Sequence, residues 1–240
     1  MDVTKVTKPA RRVLKLKYCG AVIVAAGNAS RMDGIDKVMA PLQEDPVIVH
    51  TVRAFEQCDA IREIVVVTRQ DLIVPISDLC HGFSKLRAVV VGGKSREESV
   101  HLGLNALSKQ VRLAAVQDGA RPLVTWQVID RAVRAAHSFG AAAPAVPVKD
   151  TIKEAVGGVV KKTPDRATLF AVQTPQVFDF DLLRAAMKKV EQDKVAVTDD
   201  CSAVEYLGMT VKLVEGDERN LKVTTPMDLK IAEMLLEEEK

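Results

Sequence analysis

Neither of two common phosphate-binding signatures occurs in this chain: there is no G-x-x-x-x-G-K-[ST] and no G-x-G-x-x-G. Its four cysteines, Cys19, Cys58, Cys80 and Cys201, form no C-x-x-C pair and have no histidine at ligand spacing. That excludes a disulfide framework and a paired-cysteine zinc site, and points to free thiols in a reducing compartment. The histidines, His50, His81, His101 and His137, are equally scattered and join no catalytic triad, so each reads as structural or surface. Aromatic residues make up only 4%, too few for a base-stacking surface, and a formal net charge of +2 leaves no basic stripe. Nucleic acid is therefore not the expected partner. No apolar run approaches the length that spans a bilayer, so no membrane partner is expected.

The first seventeen residues carry Lys5, Lys8, Arg11, Arg12, Lys15 and Lys17 against one acid, Asp2, and have no apolar signal core. They read as a disordered tail, residues 1–17, on a cytoplasmic protein. The alternative is a remnant of an organelle-targeting leader, which would place the protein in a stroma. Of the 240 residues 48% are apolar and 28% charged, ordinary for a globular protein with a sizeable core, so residues 18–240 are expected to form a single domain.

What is present is a series of buried strands, each followed by a loop with chemical potential. Val22-Ile23-Val24, Ile64-Val65-Val66-Val67 and Ala88-Val89-Val90-Val91 are continuous apolar runs without alternation, and a helical apolar spacing lies between the first two over Pro46–Gln57. The pattern predicts an α/β fold with a mostly parallel central sheet flanked by helices.

The first strand runs into Ala25-Ala26-Gly27, small residues that let a phosphate come close to the backbone, followed by Arg31 and Lys37. A turn at Gly27 can aim several amide N–H groups at one anion while the two cations supply full charge, which reads as a triphosphate cradle. Read singly, either cation is more readily a solvated surface charge than a catalytic one. After the third strand, Gly92-Gly93 precedes Ser95 and Ser99 at the start of a helix; either serine suits a base, ribose or phosphate, and either alone could simply cap the helix. The fourth strand, Ala114–Gln117, ends at Asp118-Gly119-Ala120-Arg121. A carboxylate at the carboxyl end of a parallel strand, near a triphosphate, is placed to hold magnesium, so Asp118 is the expected metal ligand. Arg121 is read either as a structural ion pair or as facing a second anion.

Trp126–Phe139 is predicted to be a helix with Val128, Ile129, Ala132, Val133 and Trp126 in the core. Two prolines then hold Ala141–Val148 extended. Gly157-Gly158 between apolar segments signals a hairpin, and a hairpin with little to cover it is expected to pack on a second copy of the chain. Further on, Phe180–Val190 reads as a helix, Thr198 as the cap of another, Val211–Gly216 as a last strand, and Thr225-Pro226 as the start of the terminal helix.

Together the loops resemble one family. Ala-Ala-Gly-x-x-x-Arg-Met with Lys37, Gly-Gly-x-x-Arg-x-x-Ser, Asp-x-Ala-Arg-Pro, Lys-Asp-Thr-Ile-Lys, Thr-Pro-Gln, Thr-Asp-Asp and Asn-Leu-Lys-Val-Thr-Thr-Pro-x-Asp-Leu occur in the order found in the 2-C-methyl-D-erythritol 4-phosphate cytidylyltransferases of the non-mevalonate isoprenoid pathway. The resemblance runs from about Cys19 to the C-terminus. It implies a Rossmann-like nucleotidyltransferase fold and a homodimer whose β-arms, here about residues 147–168, reach across to the partner. The implied reaction joins CTP to methylerythritol 4-phosphate and releases pyrophosphate, with Mg2+ or another divalent cation.

By matching motif, the resemblance implies that Arg31 and Lys37 stabilise charge on the α-phosphoryl group and leaving pyrophosphate, and that Arg166 and Lys222 position the second substrate's phosphate. It puts Ala25, Ala26, Gly27, Gly93 and Ser99 against CTP and Asp118 on the metal. It puts Arg121, Thr151, Thr174 and Thr198 along the second substrate, with Thr151 and Arg166 on the arm and so serving the neighbouring subunit. Four positions depart from the family's frequent pattern: Ala29 replaces a glycine, Asp36 a proline before the cradle lysine, Gln117 a histidine and Gly119 an alanine. The competing readings are a ribitol-5-phosphate cytidylyltransferase and an inactive nucleotide-binding regulatory protein.

Overall fold

The computed structural model describes residues 16–27 and 36–238. Residues 1–15, Ala29 and Arg31 lie outside the described residues; Leu16 and Lys17, expected to belong to a disordered tail, instead meet the domain, Leu16 packing against the core and Lys17 Nζ standing 2.9 Å from Asp179 Oδ2.

The first apolar run forms β1 (Cys19–Ala25), and a small ribbon, β2 (Pro41–Leu42) and β3 (Asp45–Pro46), leads into α1 (Val47–Gln57). Next come β4 (Ile61–Thr68), α2 (Ile73–Cys80), β5 (Leu86–Val91), α3 (Arg96–Ala106), β6 (Leu113–Asp118) and α4 (Trp126–Phe139). The chain continues through β7 (Ala141–Pro147), β8 (Glu154–Val156), β9 (Val159–Lys162), β10 (Phe170–Val172) and β11 (Gln176–Asp179). It closes with α5 (Phe180–Asp193), α6 (Asp200–Tyr206), β12 (Lys212–Glu215) and α7 (Pro226–Glu237).

The sheet runs β5-β4-β1-β6-β11-β7, with β10 and β12 also paired to β7. β5, β4, β1 and β6 are mutually parallel, as the unalternating apolar runs predict, and β11 enters antiparallel to β6. Side chains of each central strand go alternately to two cores. Ala21, Ile23, Ile64 and Val66 pack with α1 and α4, while Val22, Val65, Val67 and Val116 pack with Val100 and Leu104 of α3 and Leu183 of α5. Both faces are thus covered, and the carboxyl ends of β1, β4 and β6 are left together at one edge, where loops rather than helices meet the sheet.

Two expectations are corrected. Trp126 is 49% exposed at the first position of α4, off the stripe made by Val128, Ile129, Ala132, Val133 and Ala136, so it does not join the core. The cap of α6 is Asp199, not Thr198: its carboxylate accepts the Ser202 N–H at 2.9 Å, and the Ser202 hydroxyl accepts the N–H groups of both Thr198 and Asp199. A carboxylate at the cap is favoured over a hydroxyl by the helix dipole.

The hairpin forms as predicted. Gly157 (φ 56°) and Gly158 (φ 79°) supply the two positive φ values of a tight turn between β8 and β9. Val156, Val159 and Val160 on it are all exposed.

Candidate active site

At the carboxyl edge of the sheet the chain encloses a cavity of about 540 Å³. Ala25, Ala26 and Gly27 form one wall and Gly92, Gly93 and Ser99 another; Lys37, Arg96, Asp118 and Lys222 bring charge into it. Close backbone approach requires the small residues. A Cβ on Gly92 would stand 2.4 Å from Ala26 Cβ and 2.9 Å from Ser99 Oγ, whereas for one on Gly27 the nearest atom among the described residues would be Lys37 Nζ at 4.0 Å. Gly92 therefore lets the segments that follow β1 and β5 come together beyond the end of β4, and Gly27 faces the cavity.

The ambiguity over the two serines is resolved. Ser95 caps α3, accepting the Glu98 N–H at 3.1 Å. Ser99 instead ties the glycine loop to the helix, its hydroxyl accepting from Gly93 N at 3.1 Å and donating to Ser95 O at 2.8 Å. It is 2% exposed, and it holds the Gly93 wall in place.

Asp118 is the hub. Its Oδ2 lies 3.0 Å from Lys222 Nζ and 3.2 Å from Arg121 Nε, and its Oδ1 is 4.0 Å from Arg96 Nη2. Backbone bonds fix these partners. Val223 N–H donates to Ala120 O at 2.8 Å, which sets Lys222 beside the strand end, and Arg121 Nη1 donates to Asn220 O at 2.7 Å. Thr174 Oγ1 accepts the Asp118 N–H at 3.1 Å, and Thr174 O accepts from Asn220 Nδ2 at 3.0 Å. Burial would raise the Asp118 carboxyl, but Lys222, Arg121 and Arg96 outweigh it and hold the group below the usual carboxylate range. Arg121, which the sequence left between two roles, makes an ion pair.

Arg96 connects this hub to α6. Its Nη2 is 2.7 Å from Asp200 Oδ2, and Asp200 is wholly buried, with no hydrogen-bond partner at Oδ1 among the described residues. Burial, only partly offset by Arg96, pushes the Asp200 carboxyl up. Gln176 braces the same helix end, donating to Asp199 Oδ2 at 2.7 Å and accepting the Cys201 N–H at 3.0 Å. Cys201 is buried and its thiol is pushed up, first by that burial and then by Asp199 and Asp200, which makes it a poor nucleophile.

Of the residues singled out from sequence, Ala25, Ala26, Gly27, Lys37, Gly93, Ser99, Asp118 and Lys222 line this cavity. Arg121 and Thr174 adjoin it through Asp118, and Thr198 is exposed two positions before Asp200. Thr151 and Arg166 do not reach it within the chain: both are exposed at the arm, where Arg166 Nη1 donates to Lys149 O at 2.8 Å. Arg31 lies outside the described residues. Sequence reasoning gave Arg96 and Asp200 no role at the site, although the Gly-Gly-x-x-Arg-x-x-Ser spacing contained the arginine. It missed Arg69, which also lines the cavity, altogether.

No cluster of three or more His, Cys, Asp or Glu side chains able to hold a metal occurs among the described residues. Among the described residues Asp118 is the carboxylate lining the cavity, and its Oδ1 lies 4.0 Å from Arg96 Nη2. That donor set fits Mg2+ in the mode that uses one carboxylate plus substrate phosphate oxygens.

Residues 19–238 match the family model of IspD, 2-C-methyl-D-erythritol 4-phosphate cytidylyltransferase. The chain belongs to this family. Among the cytidylyltransferases bearing that name, that of Caldanaerobacter subterraneus subsp. tengcongensis is 42% identical over 225 residues, covering 90% of this chain and 97% of the relative. That of Symbiobacterium thermophilum is 44% identical over 221 residues, covering 91% and 92%. Among solved structures, the 4-diphosphocytidyl-2C-methyl-D-erythritol synthase of Anaerococcus prevotii superposes with a TM-score of 0.84 at 31% identity, over 92% of this chain and 96% of that one. The cytidylyltransferase of Thermus thermophilus gives 0.76, also at 31%, over 90% and 98%. The family's members are nucleotidyltransferase enzymes, and the α/β sheet described above is their fold.

Proposed function

We propose that this chain transfers the cytidylyl group of CTP to 2-C-methyl-D-erythritol 4-phosphate, forming 4-diphosphocytidyl-2-C-methyl-D-erythritol and pyrophosphate. The observation that carries the reading is the convergence of Lys37 and Lys222, from opposite ends of the sequence, on the cavity walled by Ala25–Gly27 and Gly93. A phosphate monoester oxygen is already anionic near neutral pH, so its attack on the α-phosphorus needs no side-chain base. Two anions must instead be held together against their repulsion, which calls for cations and for orientation. The site is rich in Lys and Arg and draws on no His or Cys, in keeping with that demand.

In this reading the Ala25–Gly27 and Gly93 backbones receive CTP, with Ser99 fixing the Gly93 loop. Lys37 and Arg31 stabilise charge developing on the α-phosphoryl group and the departing pyrophosphate. Lys222, oriented by Asp118, turns its ammonium toward the incoming phosphate, and Arg121, Thr174 and Thr198 line the remainder of the alcohol's subsite. Mg2+, held by Asp118 and phosphate oxygens, would supply further charge neutralisation. Bond formation between the monoester oxygen and the α-phosphorus is matched by cleavage of the bond to the β-phosphate oxygen, and pyrophosphate carries away the electron pair.

The arm completes the arrangement in a two-fold dimer, in which Thr151 and Arg166 serve the neighbouring subunit's site. The exposed valines of β8 and β9 support that reading, since among the described residues nothing covers them. No helix among the described residues is long and apolar enough to cross a membrane, and we place the protein's action in the cytoplasm.

The test is product identification after incubation with CTP, magnesium and either methylerythritol 4-phosphate or ribitol 5-phosphate. The expected product is the diphosphocytidyl derivative of the first alcohol. Efficient formation of CDP-ribitol alone would transfer the assignment to the ribitol enzyme, and absence of both products would favour a regulatory protein.

A further inference from the structure

Asp36 occupies the position before the cradle lysine, and each of its side-chain oxygens is engaged. Oδ1 accepts the Val38 N–H at 3.0 Å, and Oδ2 is paired with Arg69. Its backbone carbonyl accepts the Met39 N–H at 3.0 Å. Asp36 thus closes a turn in which Lys37 is the second residue. Downstream the turn is anchored by Val38, which is buried and whose carbonyl accepts the Ile48 N–H at 2.9 Å. Upstream its described anchor is Arg69. That arginine follows β4, the sheet neighbour of β1, and is itself held by Asp71 through Nε to Oδ1 at 3.1 Å and Nη2 to Oδ2 at 3.0 Å.

The Asp36 side chain is only 17% exposed, so water screens its charge poorly, and Lys37 is its neighbour in sequence. Left unpaired, this carboxylate would compete with phosphate for the lysine's ammonium. Arg69 answers that charge with its own, and it lines the cavity alongside Lys37.

We propose that Arg69 is a positioning residue for Lys37: by pairing with Asp36 it fixes the turn that carries the ammonium and neutralises the acid beside it. The device does the work that a proline's fixed φ would do at the same position, and it adds a dependence on charge. The inference rests on the role given to Lys37 above.

The experiment is steady-state kinetics with CTP, magnesium and methylerythritol 4-phosphate at one ionic strength, for R69M, D36N, the double variant and K37A, each with its thermal midpoint. R69M should lose roughly ten-fold in kcat with a smaller change in the KM for CTP, because Lys37 is assigned to transition-state charge. D36N keeps the acceptor for Val38 N–H and should lose less. The double variant, with no unpaired acid, should recover most of what R69M lost. A double variant no better than R69M, or as poor as the two single losses multiplied, would overturn the proposal and assign Arg69 to the ligand directly. So would an R69M enzyme at wild-type kcat. A K37A enzyme with wild-type turnover would instead overturn the role of Lys37 itself. If R69M does not fold, R69Q gives the same comparison.

Discussion

Arg96 Nη2 stands 2.7 Å from Asp200 Oδ2, joining the first turn of α3, which carries the proposed nucleotide loop, to the first turn of α6, which follows Thr198. The same nitrogen is 4.0 Å from Asp118, so a single guanidinium is shared between two carboxylates whose acidities move apart. Asp118 has three cations around it and is held low. Asp200 has one, and complete burial raises it.

This gives a pH dependence of definite sign. An unfolded aspartate titrates near pH 3.9, and the folded Asp200 titrates above that. Between the two values the native state binds the proton more than the unfolded chain does, so this group's contribution to stability falls as pH rises through the window. Thermal midpoints from pH 3.5 upward should show the wild type losing stability relative to D200N. Parallel curves would contradict the raised pKa of Asp200. Asp118 has the opposite sign: its contribution is present above the unfolded value and is lost as pH falls through the lower folded value, so D118N should lose its disadvantage only in strong acid.

The two glycines at the cavity should separate stability from binding. G92A forces a Cβ to within 2.4 Å of Ala26 Cβ, and strain of that kind in a packed site costs about 1–3 kcal/mol, measurable in a denaturant titration. G27A meets no atom of the described residues closer than 4.0 Å and should leave the denaturation midpoint unchanged while weakening CTP binding by roughly ten-fold or more, because the methyl occupies space meant for phosphate. Equal CTP affinity in G27A and wild type, measured calorimetrically, would remove the Ala25–Gly27 wall from the nucleotide site.

The arm makes a third prediction. Val156 and Val160, 69% and 54% exposed, are expected to be covered by the second subunit. V156E/V160E should sediment as a monomer and lose most of its turnover, since Thr151 and Arg166 would no longer reach a partner's site. An unchanged dimer would contradict both the interface and the shared site.

Much of this architecture was legible in the residues. The runs Ala21–Ala25 in β1, Ile64–Val67 in β4 and Leu113–Val116 in β6 are apolar at every position because both faces of the sheet are covered, and the hairpin was marked by Gly157-Gly158. Other features had no local signal. α2 contains Pro75 and buries only Ile76 and Cys80, so it presents no apolar stripe. Trp126 is apolar, but its place on α4 is set by the angle it takes from the stripe.

The charges illustrate the limit more sharply. Lys37 and Asp118 could be nominated because each follows a strand at the sheet edge, and Lys222 through the resemblance of its motif. Nothing in sequence pairs Arg96 with Asp200, or assigns Asp36 to Arg69 rather than to the lysine next to it. Such pairings are decided by tertiary packing, which brings distant loops to one edge.

The central claim, that cations from distant segments act together on two phosphorylated substrates, is tested most directly by single-turnover pyrophosphate release with saturating CTP, magnesium and methylerythritol 4-phosphate. K37A and K222M, both folded, should each release pyrophosphate on the order of 100-fold more slowly than wild type, the loss expected for a charge-stabilising group. Release at the wild-type rate from either variant would contradict the account.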